Sequence, residues 1–424
     1  MPDYKKKNNK HSSKSKRPKR VNEDIKMRHG KTETEEKSEQ NTGKLRVVKG
    51  NKRKKQAITR GISIAVITIA LLVVLTNVLL PTGIGDFVSN SKYALSSGEF
   101  PVELVGSDAL HSEKKDNLFY TLTDTNIEIV STSGKKALSA SHGFSKPVMR
   151  TSPTRAIVYE QGSTGLKLFG VDKLIFSKDI EDNIISANVS RCGAYVVATT
   201  SKDFASKVTV YSKNQKMLFE WNSSVEIVSD VALSPNGKKL AVSVFSSNNG
   251  QYISKIYFFK FDSATPVHTA EYNGKLIYSL ETDLNSGLFA LFDGGMDFIS
   301  WNKYAKKEFS TDYNLRMYRS GKRLCVLASS RSNDKKDTKF TAFSSSGKKV
   351  FETEWKESIT DFAVLGDKIL ILSDTSVYLI DKNGNILKKG DAGFGGVSVQ
   401  AVSAEKAVVI TDNSMLTVTL TAQK

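Results

Sequence analysis

Five histidines and two cysteines are the chain's whole supply of the side chains that most often ligate transition metals or act as strong nucleophiles. Acid–base or metal chemistry needs such groups to converge. His11 and His29 stand in a polar N-terminal tail. His111, His142 and His268 are far apart, with no His-x-His or His-x-x-x-His spacing. Each reads as a loop or surface residue. Asp381-Lys382-Asn383-Gly384-Asn385 puts oxygen ligands at alternate positions, as a calcium loop does, but lacks the sixth-position glycine and the distal bidentate glutamate. A tight hairpin accounts for the same residues. Gly393-Phe394-Gly395-Gly396 opens no helix, so it reads as a connector and not as a phosphate cradle. No Gly-x-Ser-x-Gly elbow occurs. These residues predict no catalytic, cofactor-binding or metal site.

Charge is more informative. Residues 1–60 hold 21 Lys or Arg against 7 Asp or Glu, a net +14, so the remaining 364 residues carry only +4 of the total +18. The folded part therefore lacks the excess that phosphate backbones require, and no nucleic-acid partner is expected. Residues 61–80 follow without a charge, and thirteen of them are Leu, Ile or Val. At about 1.5 Å per residue they make a helix of roughly 30 Å, the thickness of a bilayer core.

The basic cluster Lys52, Arg53, Lys54, Lys55 and Arg60 flanks the run on its N-terminal side, whereas the next Lys or Arg on the other side is Lys92. The positive-inside rule places the N-terminus in the cytoplasm and the C-terminus outside. A cleaved signal peptide has a shorter charged region and apolar core, so an uncleaved anchor in the cytoplasmic membrane is predicted. The cluster serves as a topogenic signal and lies where anionic headgroups would be. Four segments result: a disordered basic cytoplasmic tail (1–56), a transmembrane signal anchor in contact with membrane lipid (57–80), a linker (81–99) and an extracytoplasmic domain (100–424).

That outer domain repeats. A turn precedes a short, strongly apolar strand eight times, as in Asp116-Asn117 before Leu118-Phe119-Tyr120, Ser234-Pro235-Asn236-Gly237 before Leu240-Ala241-Val242, and Gly366-Asp367-Lys368 before Ile369-Leu370-Ile371. The other copies start near Ala156, Ala194, Leu288, Leu324 and Ala407. The mean spacing of about 41 residues is that of a four-stranded propeller blade, and the β-branched, aromatic strands argue against a helical solenoid. A second turn recurs between the third and fourth strands, with clear forms at Ser133-Gly134-Lys135-Lys136, Lys213-Asn214-Gln215-Lys216, Ser346-Gly347-Lys348-Lys349 and Lys382-Asn383-Gly384-Asn385. Its Lys residues would keep an outer edge soluble.

An all-β, eight-bladed β-propeller is predicted, with seven blades as the alternative. The last unit, 397–420, holds three strands, so a lone strand at 100–105 is expected to complete it and close the ring. Cys192, before the inner strand of unit three, and Cys325, in the inner strand of unit six, would be too far apart for a disulfide.

Ser234-Pro235-Asn236-Gly237-Lys238-Lys239-Leu240-Ala241 resembles the repeated turn of TolB-type and WD40-like bacterial propellers. The Gly-Lys and Gly-Asn hairpins resemble the blade turns of quinoprotein-type propellers. With the basic tail and single span, the whole is similar to a family of bacterial membrane proteins known only as a domain of unknown function. These likenesses concern structural turns and imply a fold without an activity. Only Trp221, Trp301 and Trp355 occur, and no adjacent cysteines, so the quinoprotein redox chemistry is not implied. The expected function is a binding or scaffold module of the cell envelope, taking an envelope protein, peptide or glycan. The alternative is a cofactor-dependent or hydrolytic enzyme whose site is scattered over several blades. A sensory receptor is disfavoured because the tail is too short and polar for a signalling domain.

Overall fold

The computed structural model describes residues 66–68, 91–93, 96–282, 287–331 and 336–422. The predicted tail and the cluster Lys52, Arg53, Lys54, Lys55 and Arg60 lie outside these residues. So does the predicted span, apart from a helical stretch at 66–68. Among the described residues no helix is long and apolar enough to cross a membrane.

The strands form eight antiparallel sheets, seven of them built on four consecutive strands, in an eight-bladed propeller. Blades 1 to 7 occupy residues 109–141, 147–179, 184–223, 227–273, 277–310, 314–355 and 361–391. Blade 8 is composite. Three strands, Gly396–Ala401, Lys406–Thr411 and Ser414–Thr419, are completed by Val102–Glu103, where Val102 pairs with Met415 and Glu103 with Ser414. The N-terminal strand thus closes the ring, as expected from the three-strand final unit. The terminal Thr421–Ala422 adds a fifth strand to blade 7 beside Ile386–Asp391, a pairing the sequence reading did not foresee.

The repeated apolar strand is the second of each blade and not the innermost, which corrects the expectation for Cys325. First strands of neighbouring blades touch one another and line the axis. The second strand is sandwiched between two blades, so both its faces are covered: every residue of Leu118–Thr123, Tyr195–Thr199 and Leu324–Ser330 is buried. Burial on both faces calls for a continuous apolar run instead of alternation. Eight apolar clusters result, one at each blade junction. At the closing junction, Val102 and Leu104 pack with Phe119, Val130, Val408, Ile410 and Met415. Cys192 and Cys325 are free thiols in blades 3 and 6.

The third-to-fourth hairpins share one device. Ser131 Oγ accepts from Lys135 N at 3.0 Å, Ser212 Oγ from Lys216 N at 3.1 Å, Ser344 Oγ from Lys348 N at 3.3 Å, and Asp381 Oδ1 from Asn385 N at 2.9 Å. The side chain that opens each turn replaces a backbone acceptor, as Ser and Asp do in tight turns. The residue before the donor has positive φ in each, for instance +90° at Gly134. The calcium-like run Asp381–Asn385 is therefore a hairpin, as its sequence indicated.

Candidate functional site

The first strands bring chemistry to the axis. Six of the eight carry a bulge against the second strand, between Ala109/His111, Ile184/Ser186, Val228/Asp230, Ile277/Ser279, Leu315/Met317 and Gly396/Ser398. A bulge inserts one residue and re-aims the next side chain. In four blades the re-aimed residue is Ser186, Asp230, Ser279 or Ser398, and each joins the axial hydrogen bonds.

Two aspartates then staple blades together. Asp230 in blade 4 accepts from Ser186 Oγ of blade 3 (2.5 Å), its neighbour Val231 N (2.9 Å) and Leu280 N of blade 5 (2.8 Å). Asp361 in blade 7 accepts from Ser398 Oγ (2.6 Å) and Val399 N (3.0 Å) of blade 8, and from Arg319 Nη2 of blade 6 (2.6 Å). Arg150 of blade 2 reaches across the axis to Asp230 (3.3 Å) and Glu281 (3.0 Å). Asp230 holds the Arg150 guanidinium above its ordinary pKa against the opposing effect of burial.

In blade 1, burial works to raise the Glu113 carboxyl, but Lys115 at 2.9 Å, His111 and the Thr151 hydroxyl outweigh it and hold the group at about 2. Burial lowers the His111 imidazole below its ordinary value against the pull of Glu113, with Arg319 and Arg150 pushing the same way as burial. His111 lines the axis with its side chain 44% exposed, a surface residue as its sequence suggested, but one that shares its field with Glu113, Arg319 and Arg150. His142 is in a loop but buried, with Nδ1 accepting from Phe144 N and Nε2 facing Thr123 O, which makes it a packing residue. His268 stacks on Tyr304 at 5.0 Å. His11 and His29 lie outside the described residues.

These axial acceptors are committed to guanidinium, hydroxyl and backbone N–H donors. A pocket of about 100 Å³ lies beside His111, Arg319, Asp361 and Ser398. Small-molecule sites usually need 300 Å³ or more, so it is roughly a few waters in size. Among the described residues no three His, Cys, Asp or Glu come together as a metal site. The axis is best understood as a charged hub that fixes blade order. Trp301 packs edge-on against Phe258 in the junction of blades 4 and 5.

The two faces of the ring differ far more than its axis. Every blade meanders from the same starting side, so first-to-second and third-to-fourth turns share one face, and the second-to-third turns and blade-to-blade connections share the opposite one. Counting each connection with its two flanking strand residues, the described residues of the first face hold 20 Lys or Arg against 7 Asp or Glu. The opposite face holds 6 against 17. A domain of nearly neutral total charge is thus strongly polarised, +13 against −11. The lysine-rich hairpins, which the sequence suggested were edge solubilisers, make up more than half of the basic side.

On the acidic face an apolar patch spans blades 3 to 5. Phe204, Val225, Ile227, Tyr252, Leu276 and Tyr278 are exposed, Val225 at 80% and Tyr252 at 59%. Within it the hairpin of blade 4 projects. Lys239–Asn248 and Gln251–Lys260 are ten residues each, and their last three pairs, 246–248 with 251–253, run past the first strand, whose end residue Ile227 pairs with Phe245. That overhang is about 10 Å. Asn249 and Gly250 turn it with positive φ of 49° and 77°. Glu226 braces its root through Lys255 Nζ (2.8 Å) and Tyr257 Oη (2.7 Å). The signal was in the sequence: Asn248-Asn249-Gly250 between two runs longer than the other strands.

The propeller coincides with a known family over residues 106–420, described as "Family of unknown function (DUF5711)". The chain belongs to that family. No curated protein matches it. Among solved structures, the chain is similar to BamB from Moraxella catarrhalis, at 12% identity and TM-score 0.50, covering 77% of this chain and 98% of that one. It is also similar to the C-terminal WD40 domain of Sif2, at 12% identity and TM-score 0.52, covering 76% and 97%. At such identities the likeness concerns the fold.

Proposed function

We propose that this DUF5711 protein is a binding or scaffold module of the bacterial envelope, anchored in the cytoplasmic membrane by residues 57–80 with its propeller outside. The observation that supports the binding role is the apolar patch of blades 3 to 5 on the acidic face. Its exposed aliphatic and aromatic side chains match the composition of protein-docking surfaces. The net negative charge of the face as a whole favours a basic partner, steered by long-range attraction. The partner class is an envelope protein or peptide. The anchored topology is supported by the charge asymmetry around the apolar run.

A photo-crosslinking side chain at Tyr252 of the full chain, in its native membrane, tests the reading. One discrete adduct is expected. It should vanish in Val225→Asp/Leu276→Asp and be absent from a probe at Lys348 on the other face. Equal adducts from both faces, or none from Tyr252, would refute the docking surface. Protease added to intact cells should digest the propeller; protection would refute the outside location.

A further inference from the structure

The basic face carries an independent observation: it is where the N-terminal segment joins the ring. Ser96 O accepts from Ser133 Oγ at 2.6 Å, and the Gly98 Cα has no room for a Cβ because Lys135 N and the Gly134 carbonyl carbon stand in its place. Phe100 lies under Lys406 Nζ at 5.2 Å, and Tyr93 packs against the cluster that holds Ala137 and Leu138. Gly134 and Lys135 are in a third-to-fourth turn, and Lys406 closes a first-to-second turn. All these contacts are at the lysine-rich side.

Charge and attachment therefore coincide. Fifteen residues separate Leu80 from Ser96, a reach of at most ~50 Å. With the anchor reading above, the shortest path from the bilayer leads to the basic face. Lys135, Lys213, Lys238, Lys303, Lys348 and Lys382 are exposed there on six different blades. Because the turns end at one side of a rigid ring, many can come within the ~8 Å over which charges act at physiological salt. The complementary surface is a plane of phosphate-bearing headgroups.

We propose that the basic face rests on anionic phospholipid of the anchoring membrane, turning the acidic docking face outward. The proposal rests on the anchor reading but makes a separate demand on lipid charge. The full chain would be placed in nanodiscs of phosphatidylcholine alone or with half phosphatidylglycerol, and backbone hydrogen exchange followed. Turns 131–136 and 344–349 should exchange at least threefold more slowly in the anionic discs, while the blade 4 hairpin tip at 248–251 stays unchanged. About 0.5 M salt should erase the difference, as should Lys135→Glu/Lys213→Glu/Lys348→Glu, whereas the matching Lys→Arg triple should keep it.

Equal exchange in both discs would overturn the inference while leaving the anchor intact. If the chain instead fails to stay in discs, the anchor reading falls, and co-sedimentation of the full chain with anionic against neutral vesicles decides the surface alone. Binding lost in the Glu triple would sustain it; no preference for anionic vesicles would overturn it. Slower exchange with soluble polyphosphate but not with phosphatidylglycerol would also overturn it, in favour of a wall polymer.

Discussion

Asp230→Ala tests whether the axial hub holds the ring together. The carboxylate side chain is 3% exposed and accepts from two backbone N–H groups, one hydroxyl and the Arg150 guanidinium. Removal leaves three buried neutral donors without their acceptor and Arg150 with Glu281 alone. Breaking a buried charge pair from one side costs about 3–5 kcal/mol. The ring spans roughly 320 residues, and unfolding entropy near 2.1 cal/mol/K per residue gives ~0.7 kcal/mol per degree, so the melting temperature should fall by about 4–7 °C. Thermal unfolding followed by the fluorescence of Trp221, Trp301 and Trp355 reads this directly. Adding Arg150→Met together with Glu281→Gln clears both leftover charges and should recover part of the loss. A shift under 1 °C in the single variant, or a triple variant that melts lower than Asp230→Ala, would refute the hub.

Other expectations follow from the same geometry. Glu113 has a folded pKa of about 2, below its unfolded value of about 4.5, so its contribution is present above pH ~4.5 and is lost as pH falls toward 2. That contribution is about 3 kcal/mol; Glu113→Gln should destabilise at pH 6 but hardly at pH 2, as read by melts at both. Leu104→Ala opens a cavity in the closing junction and should cost about 2–4 kcal/mol in urea titration; removal of residues 81–106 should lower the melting temperature by many degrees. An alanine Cβ at Gly347 would stand 2.5 Å from Phe298, whereas at Gly366 it would meet nothing, although both have similar φ, +70° and +64°. Gly347→Ala should therefore destabilise clearly more than Gly366→Ala, and equal effects would mean that backbone strain alone matters.

Blade number and ring closure were legible in the residues alone, because a strand covered on both sides must be apolar throughout. Runs such as Leu118–Thr123 and Leu324–Ser330 advertise themselves for that reason. The same strength misled the assignment of the innermost strand. First strands face a polar axis on one edge, so their pattern is mixed and their bulges break the alternation. A weaker signal was available there: Ser229-Asp230-Val231-Ala232-Leu233 and Thr360-Asp361-Phe362-Ala363-Val364 repeat a hydroxyl–Asp–apolar order just before the second strand.

What the sequence determined is the local alternation of apolar strand and turn, and the segregation of charge between tail and remainder, since both follow from composition along the chain. Tertiary structure alone decided that Arg150 meets Glu281, 131 residues away, and that His111 shares their field. It also decided the polarity of the ring. A lysine turn looks the same at every position in the chain, and only the parity of the meander, repeated around a closed circle, sends the basic turns to one face and the acidic ones to the other.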